Sequence, residues 1–147
     1  MGELTAVYDK AAYAIQKAEQ VSGVVISSSQ AYVWEKGNRD LVYSTGAEAF
    51  RQGNDETSLE ACENYMEQYN AHRVDLTGCK LDQILYVINK GLPVIAVTDG
   101  NHAVLLTGYT TSDITYIDPE NGSETTVSIG QMEKMAEQGG NTFIGYI

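Results

Sequence analysis

The residues of this chain whose types and places could do chemistry are His102, Asp118 and the two cysteines, Cys62 and Cys79. Three apolar, β-branched runs bounded by turn residues, 91–97, 102–109 and 114–119, read as successive strands. His102 opens the second strand and Asp118 closes the third. If those strands pair as an antiparallel hairpin, the start of one lies beside the end of the other. An imidazole and a carboxylate then meet at one end of a sheet. A carboxylate in that place fixes the tautomer of the ring and stabilises its cation, as the orienting acid of a catalytic triad does. A nucleophile would have to come from elsewhere, and both cysteines lie upstream. A thiol attacks as its thiolate, which a helix N-terminus or a neighbouring imidazolium favours. Cys62 falls in the first turns of an expected helix over 57–69, and Cys79 falls just before one over 80–90. The second position is better placed for the helix dipole, whose influence fades after one turn. On the residues alone both remain candidates, and both also fit the ordinary role of a small buried hydrophobe.

The elements that must position these groups follow from periodicity. Leu4, Tyr8, Ala11 and Ile15 recur at helical spacing, and the helix should end near Ser22-Gly23. Val24-Val25-Ile26 is a short strand. The runs 31–35 and 41–43 flank 36–39, which reads as a hairpin turn, and 46–55 reads as loop. Thr57-Ser58-Leu59-Glu60 has the form of a capping box. Residues 75–78 are a connection. Leu81, Ile84, Leu85 and Ile88 line one face of the 80–90 helix, and Gly91 is its stop. Asn121-Gly122 turns the chain before a strand at 125–127. A short helix carrying Ile129, Met132 and Met135 follows, Gly139-Gly140 ends it, and 142–146 is a last strand. The fold class is α+β, with helices early and an antiparallel sheet late. Residues 1–147 read as a single domain, either standing alone or as a module of a larger protein.

Composition sets outer bounds. With 43% hydrophobic and 20% charged residues the chain is globular rather than disordered. A net charge of -11 disfavours nucleic acid and anionic membrane surfaces, which need a basic partner. No run of about 18 apolar residues is present to span a membrane. No signal peptide is expected, because Met1-Gly2-Glu3 leads directly into an amphipathic pattern. Two cysteines permit one disulfide or two free thiols. No short ligand motif joins His72 or His102 to a cysteine or carboxylate, and Asp113, Asp118 and Glu120 match no EF-hand loop. The expectation is therefore no metal and no cofactor, with these acids as solvated turn residues.

The C-terminal half resembles the papain-like cysteine peptidases, and within them the bacterial peptidase-like domains related to the bacteriocin-processing, double-glycine leader peptidases. The features that carry the resemblance are a helix at 81–90 leading into Gly91-Leu92-Pro93-Val94-Ile95, a His102-led strand ending in Gly108-Tyr109, and a strand ending in Asp118-Pro119. The resemblance implies a papain-like α+β fold, no cofactor, and acyl transfer or hydrolysis at a peptide or amide bond. It implies Cys62 as nucleophile, because the family order sets the thiol on the helix before the one that leads into the Gly-x-Pro strand. His102 would be general base and then acid, and Asp118 its orienting acid. The implied partner is a peptide or protein substrate. The implied setting is a secreted or cell-surface protein.

Two departures oppose activity. The family's nucleophile is typically followed by Gly, whereas Glu63 follows Cys62 and its charge would raise the thiol pKa. The family also carries a Gln a few residues before the thiol to stabilise the oxyanion. Gln52 stands ten positions upstream and Gln30 further still, so neither has that spacing. The alternative reading is a catalytically inactive module that binds peptides or partner proteins. A third is a structural module stapled by a Cys62–Cys79 disulfide.

Overall fold

The computed structural model describes residues 4, 6–29, 31–35, 43–44 and 50–147. Among them, four helices surround two antiparallel sheets. The order is α1 (Ala11–Val21), β1 (Val24–Ile26), β2 (Tyr32–Glu35), β3 (Tyr43–Ser44), α2 (Ser58–Met66), β4 (Arg73–Asp75) and α3 (Leu81–Asn89). Then come β5 (Val94–Asp99), β6 (His102–Tyr109), β7 (Asp113–Asp118), β8 (Ser123–Ser128), α4 (Ile129–Gln138) and β9 (Phe143–Tyr146). The main sheet runs β4-β9-β5-β6-β7-β8, with β3 pairing on β6, and β1 and β2 form a separate ribbon. This is the expected α+β architecture.

The central strands read as nearly unbroken apolar runs because both faces of the sheet are covered. Val94, Ala96, Val104, Leu106 and Ile114 pack with α1, α3 and α4. Ile95, Ala103, Leu105, Ile117 and Ile144 pack with Cys62 and Met66 of α2. Successive side chains of a strand point to opposite faces, so one strand feeds both clusters. The α3 helix buries Leu81, Ile84, Leu85, Val87 and Ile88 on the first face. Gly91 follows its C-cap with φ of 93°, the left-handed conformation that glycine adopts without a Cβ penalty.

The N-terminal part departs from expectation. The helix starts at Ala11 rather than near Leu4. Leu4 and Val7 are 76% and 83% exposed, so their spacing has no core to bury and drives no helix. The β2 strand pairs with β1, and β3 pairs with β6. The expected turn at 36–39 lies outside the described residues. The sequence reading places only a connection at 75–78 and no strand before it, whereas β4 is held to β9 by backbone pairing.

Candidate functional site

The β5–β6–β7 meander places the site. A tight turn over Asp99 to Asn101 joins β5 to β6, with the Asn101 N–H donating to Asp99 Oδ1 at 2.8 Å. A second turn after β7 is fixed by Asp118, whose Oδ1 accepts the Glu120 N–H at 3.0 Å. Because β6 and β7 are antiparallel, with Leu105 opposite Ile117, these turns lie at the same end of the sheet. His102 and Asp118 meet there. His102 Nε2 lies 3.0 Å from Asp118 Oδ2, with side-chain exposures of 22% and 24%. The other ring nitrogen, Nδ1, lies 4.0 Å from Glu120 Oε1.

Cys62 comes to this region from the opposite direction. The α2 helix starts at a capping box, in which the Thr57 hydroxyl accepts the Glu60 N–H and the Glu60 carboxylate accepts the Thr57 N–H. Cys62 lies in the second turn of that helix and is fully buried among Met66, Ile95, Ala103, Leu105 and Ile117. Among the described residues no hydrogen bond joins the Cys62 thiol to His102. Burial pushes that thiol up to about 12, and the charges of Asp118 and then Glu63 push in the same direction. The structure thus brings His102 and Asp118 into contact and sets Cys62 in the core nearby as a neutral thiol.

Cys79 stands apart. It is 2% exposed in the cluster on the α3 face, and burial, then Asp75 and Glu19, raise its thiol to about 12 as well. Both cysteines are free, and they pack in separate clusters, so no disulfide staples the module.

Ser58 has a role that sequence reasoning missed. Its hydroxyl accepts the Ala103 N–H at 2.8 Å and donates to the Asn101 carbonyl at 3.3 Å. A buried side chain at the start of α2 therefore clamps the backbone on both sides of His102. In the sequence Ser58 showed only as part of the capping box, and its partners lie more than 40 residues away. Gln52 is also drawn to this end, since its N–H donates to the Pro119 carbonyl at 2.7 Å. Its side-chain Nε2 donates to the Glu56 carbonyl at 2.6 Å, and its Oε1 is buried with no protein partner. The amide is thus tied to the loop before α2.

A model of the Peptidase_C39 like family matches residues 17–139, and the chain belongs to that family. The crystal structure of a Bacillus anthracis protein described as a C39-like peptidase matches with a TM-score of 0.50 and 20% identity. That match covers 65% of this chain and 61% of the other, so the chain spans about three fifths of the length of that protein. At this identity the likeness concerns the fold. No curated protein matches. The family and fold expected from the motifs at 81–119 are therefore confirmed.

Proposed function

From membership of the Peptidase_C39 like family, we propose that the chain is a peptidase-like module that binds a peptide or protein partner without cleaving it in this conformation. One observation carries the reading. The Cys62 thiol is fully buried, has no hydrogen bond to His102, and is pushed up to about 12. A nucleophilic thiol needs the reverse: partial access and a cationic neighbour that lowers its pKa. The exposed end of the sheet offers carboxylates from Asp118 and Glu120, and the chain carries a net charge of -11. Cationic segments are the partners this charge favours.

A second reading is favoured by the 3.0 Å contact between His102 and Asp118. In it, a shift of α2 brings the thiol to the ring and completes a Cys62–His102–Asp118 triad. His102 takes the thiol proton, the sulfur attacks the carbonyl, and the leaving amine departs with that proton. Water, deprotonated by His102, then cleaves the thioester.

Alkylation by iodoacetamide at near-neutral pH, read residue by residue by mass spectrometry, separates the two. The binding-module reading expects slow labelling of both thiols, unchanged in His102→Ala. Rapid labelling of Cys62, titrating below about 8.5 and slowed in His102→Ala, would establish the triad instead.

A further inference from the structure

We propose that His102, Asp118 and Glu120 form a binding site for one divalent transition-metal ion of the zinc type. The proposal stands apart from the question of cleavage. One ligand atom from each residue lies within 4.8 Å of those of the other two. The set consists of an imidazole and two carboxylates, all accepted zinc ligands. The donors converge from separate elements: the first residue of β6, the last of β7, and the turn after β7. That is why no short spacing announces them in the sequence.

The distances suit a small ion. Bonds of about 2.0–2.2 Å in a tetrahedral site set ligand atoms about 3.4 Å apart. The 3.0 Å between His102 Nε2 and Asp118 Oδ2 is close to that separation. Glu120 stands nearest the other ring nitrogen, Nδ1, at 4.0 Å, and must swing toward the Nε2 side to join them. Its side chain is 67% exposed and reaches in from solvent, so it is free to make that movement. Asp118 spends its other oxygen on the Glu120 N–H, which anchors the backbone carrying both acids. Water would complete the coordination shell.

The imidazole selects the metal class. A nitrogen donor suits zinc, nickel or copper, whereas calcium and magnesium prefer all-oxygen shells. On binding, a neutral ring exchanges its hydrogen bond to Asp118 for a shared ion. The two carboxylates balance the charge of the ion. The same event removes from use the base and the orienting acid that a triad would need.

Isothermal titration of the full chain with zinc chloride, and separately with calcium chloride, tests the site. The expected result is one zinc per chain at micromolar affinity, with calcium much weaker. His102→Ala should weaken zinc binding by about 100-fold and Glu120→Gln by about tenfold, whereas His72→Ala and Glu124→Gln should leave it unchanged. Glu120 is exposed, so its variant tests the site without endangering the fold. Zinc binding within twofold of the parent in either His102→Ala or Glu120→Gln would overturn the proposal, as would the absence of a one-to-one isotherm. None of these readouts depends on whether the chain cleaves or holds a peptide.

Discussion

Gly139 is where a single methyl group should do the most damage. It caps α4, and its N–H donates to the carbonyls of Met135 and Ala136. An added Cβ would stand 1.9 Å from the Val97 carbonyl oxygen, 2.4 Å from its carbon and 3.0 Å from the Thr98 nitrogen. All three are backbone atoms of β5, so no side chain can rotate away. Restoring an ordinary contact of 3.4 Å requires the helix end and the strand to part by about 1.5 Å. The strand resists, because the Val97 N–H donates to the Thr142 carbonyl and the Thr98 hydroxyl to that of His102. Overpacking typically costs about 1–3 kcal/mol, and a clash between two backbones belongs at the top of that range. Gly139→Ala should therefore lose about 3 kcal/mol in urea unfolding, with the midpoint falling and the m-value kept. Gly130 supplies the control. It lies inside α4 with nothing within 4 Å of the position of its Cβ. There the same substitution should gain about 0.5–1 kcal/mol from the helix propensity of alanine. If Gly139→Ala stays within about 0.5 kcal/mol of the parent while Gly130→Ala stabilises, the close approach of α4 to β5 is wrong.

Three further outcomes are expected. Leu85→Ala, which empties a buried place on the α3 face, should cost about 2–5 kcal/mol in the same unfolding assay, and a loss below about 0.5 kcal/mol would mean the face is misassigned. Ser58→Ala strips the buried Ala103 N–H of its acceptor and should cost about 1–3 kcal/mol, with amide exchange at Ala103 accelerated; unchanged exchange would refute the clamp. Alkaline pH should destabilise the fold, because burial raises both thiols from an ordinary 9.0 to about 12 in the native state. Their contribution is intact below pH 9, and between roughly pH 9 and 12 the unfolded chain releases protons that the native chain keeps. Stability should fall there by up to about 1.4 kcal/mol per pH unit per thiol, and Cys62→Ser should flatten the decline measured by urea unfolding between pH 8 and 10.

The C-terminal half was legible because its elements are contiguous and punctuated. Gly91, the Asp99 to Asn101 turn and Asn121-Gly122 bound strands whose partners are their neighbours in sequence, so pairing follows from order. The meeting of His102 and Asp118 followed from the same logic. The N-terminal half lacked such signals. Leu4 and Tyr8 share a helical period with Ala11 and Ile15, but only the turns from Ala11 onward pack against the core, with Ile15 and Ala18 buried, and periodicity does not say which turns find a partner. Arg73-Val74-Asp75 has one apolar residue and is a strand only because β9 offers it a backbone ladder. The place of Cys62 was open for a related reason. A helical position gives the phase of a side chain around its own axis but not which face of a distant sheet it will cover. Glu120 was read as a solvated turn acid, and its proximity to His102 depends on the β6–β7 register.

The charge of Asp118 has opposite consequences depending on where the His102 ring stands. With an imidazolium between carboxylate and thiol, the acid stabilises the cation, and the cation stabilises the thiolate. In this structure no hydrogen bond links Cys62 to the ring, and burial first, then the Asp118 charge, push the thiol up. The residue that would complete a triad thus helps keep the cysteine neutral. A zinc ion held by Asp118 would cancel that charge, relieving part of the electrostatic penalty on Cys62 while withdrawing His102 from use as a base. Burial, the largest cause of the shift, would persist. Metal binding alone should therefore leave Cys62 unreactive, and only a displacement of α2 that opens the thiol toward the ring would arm it.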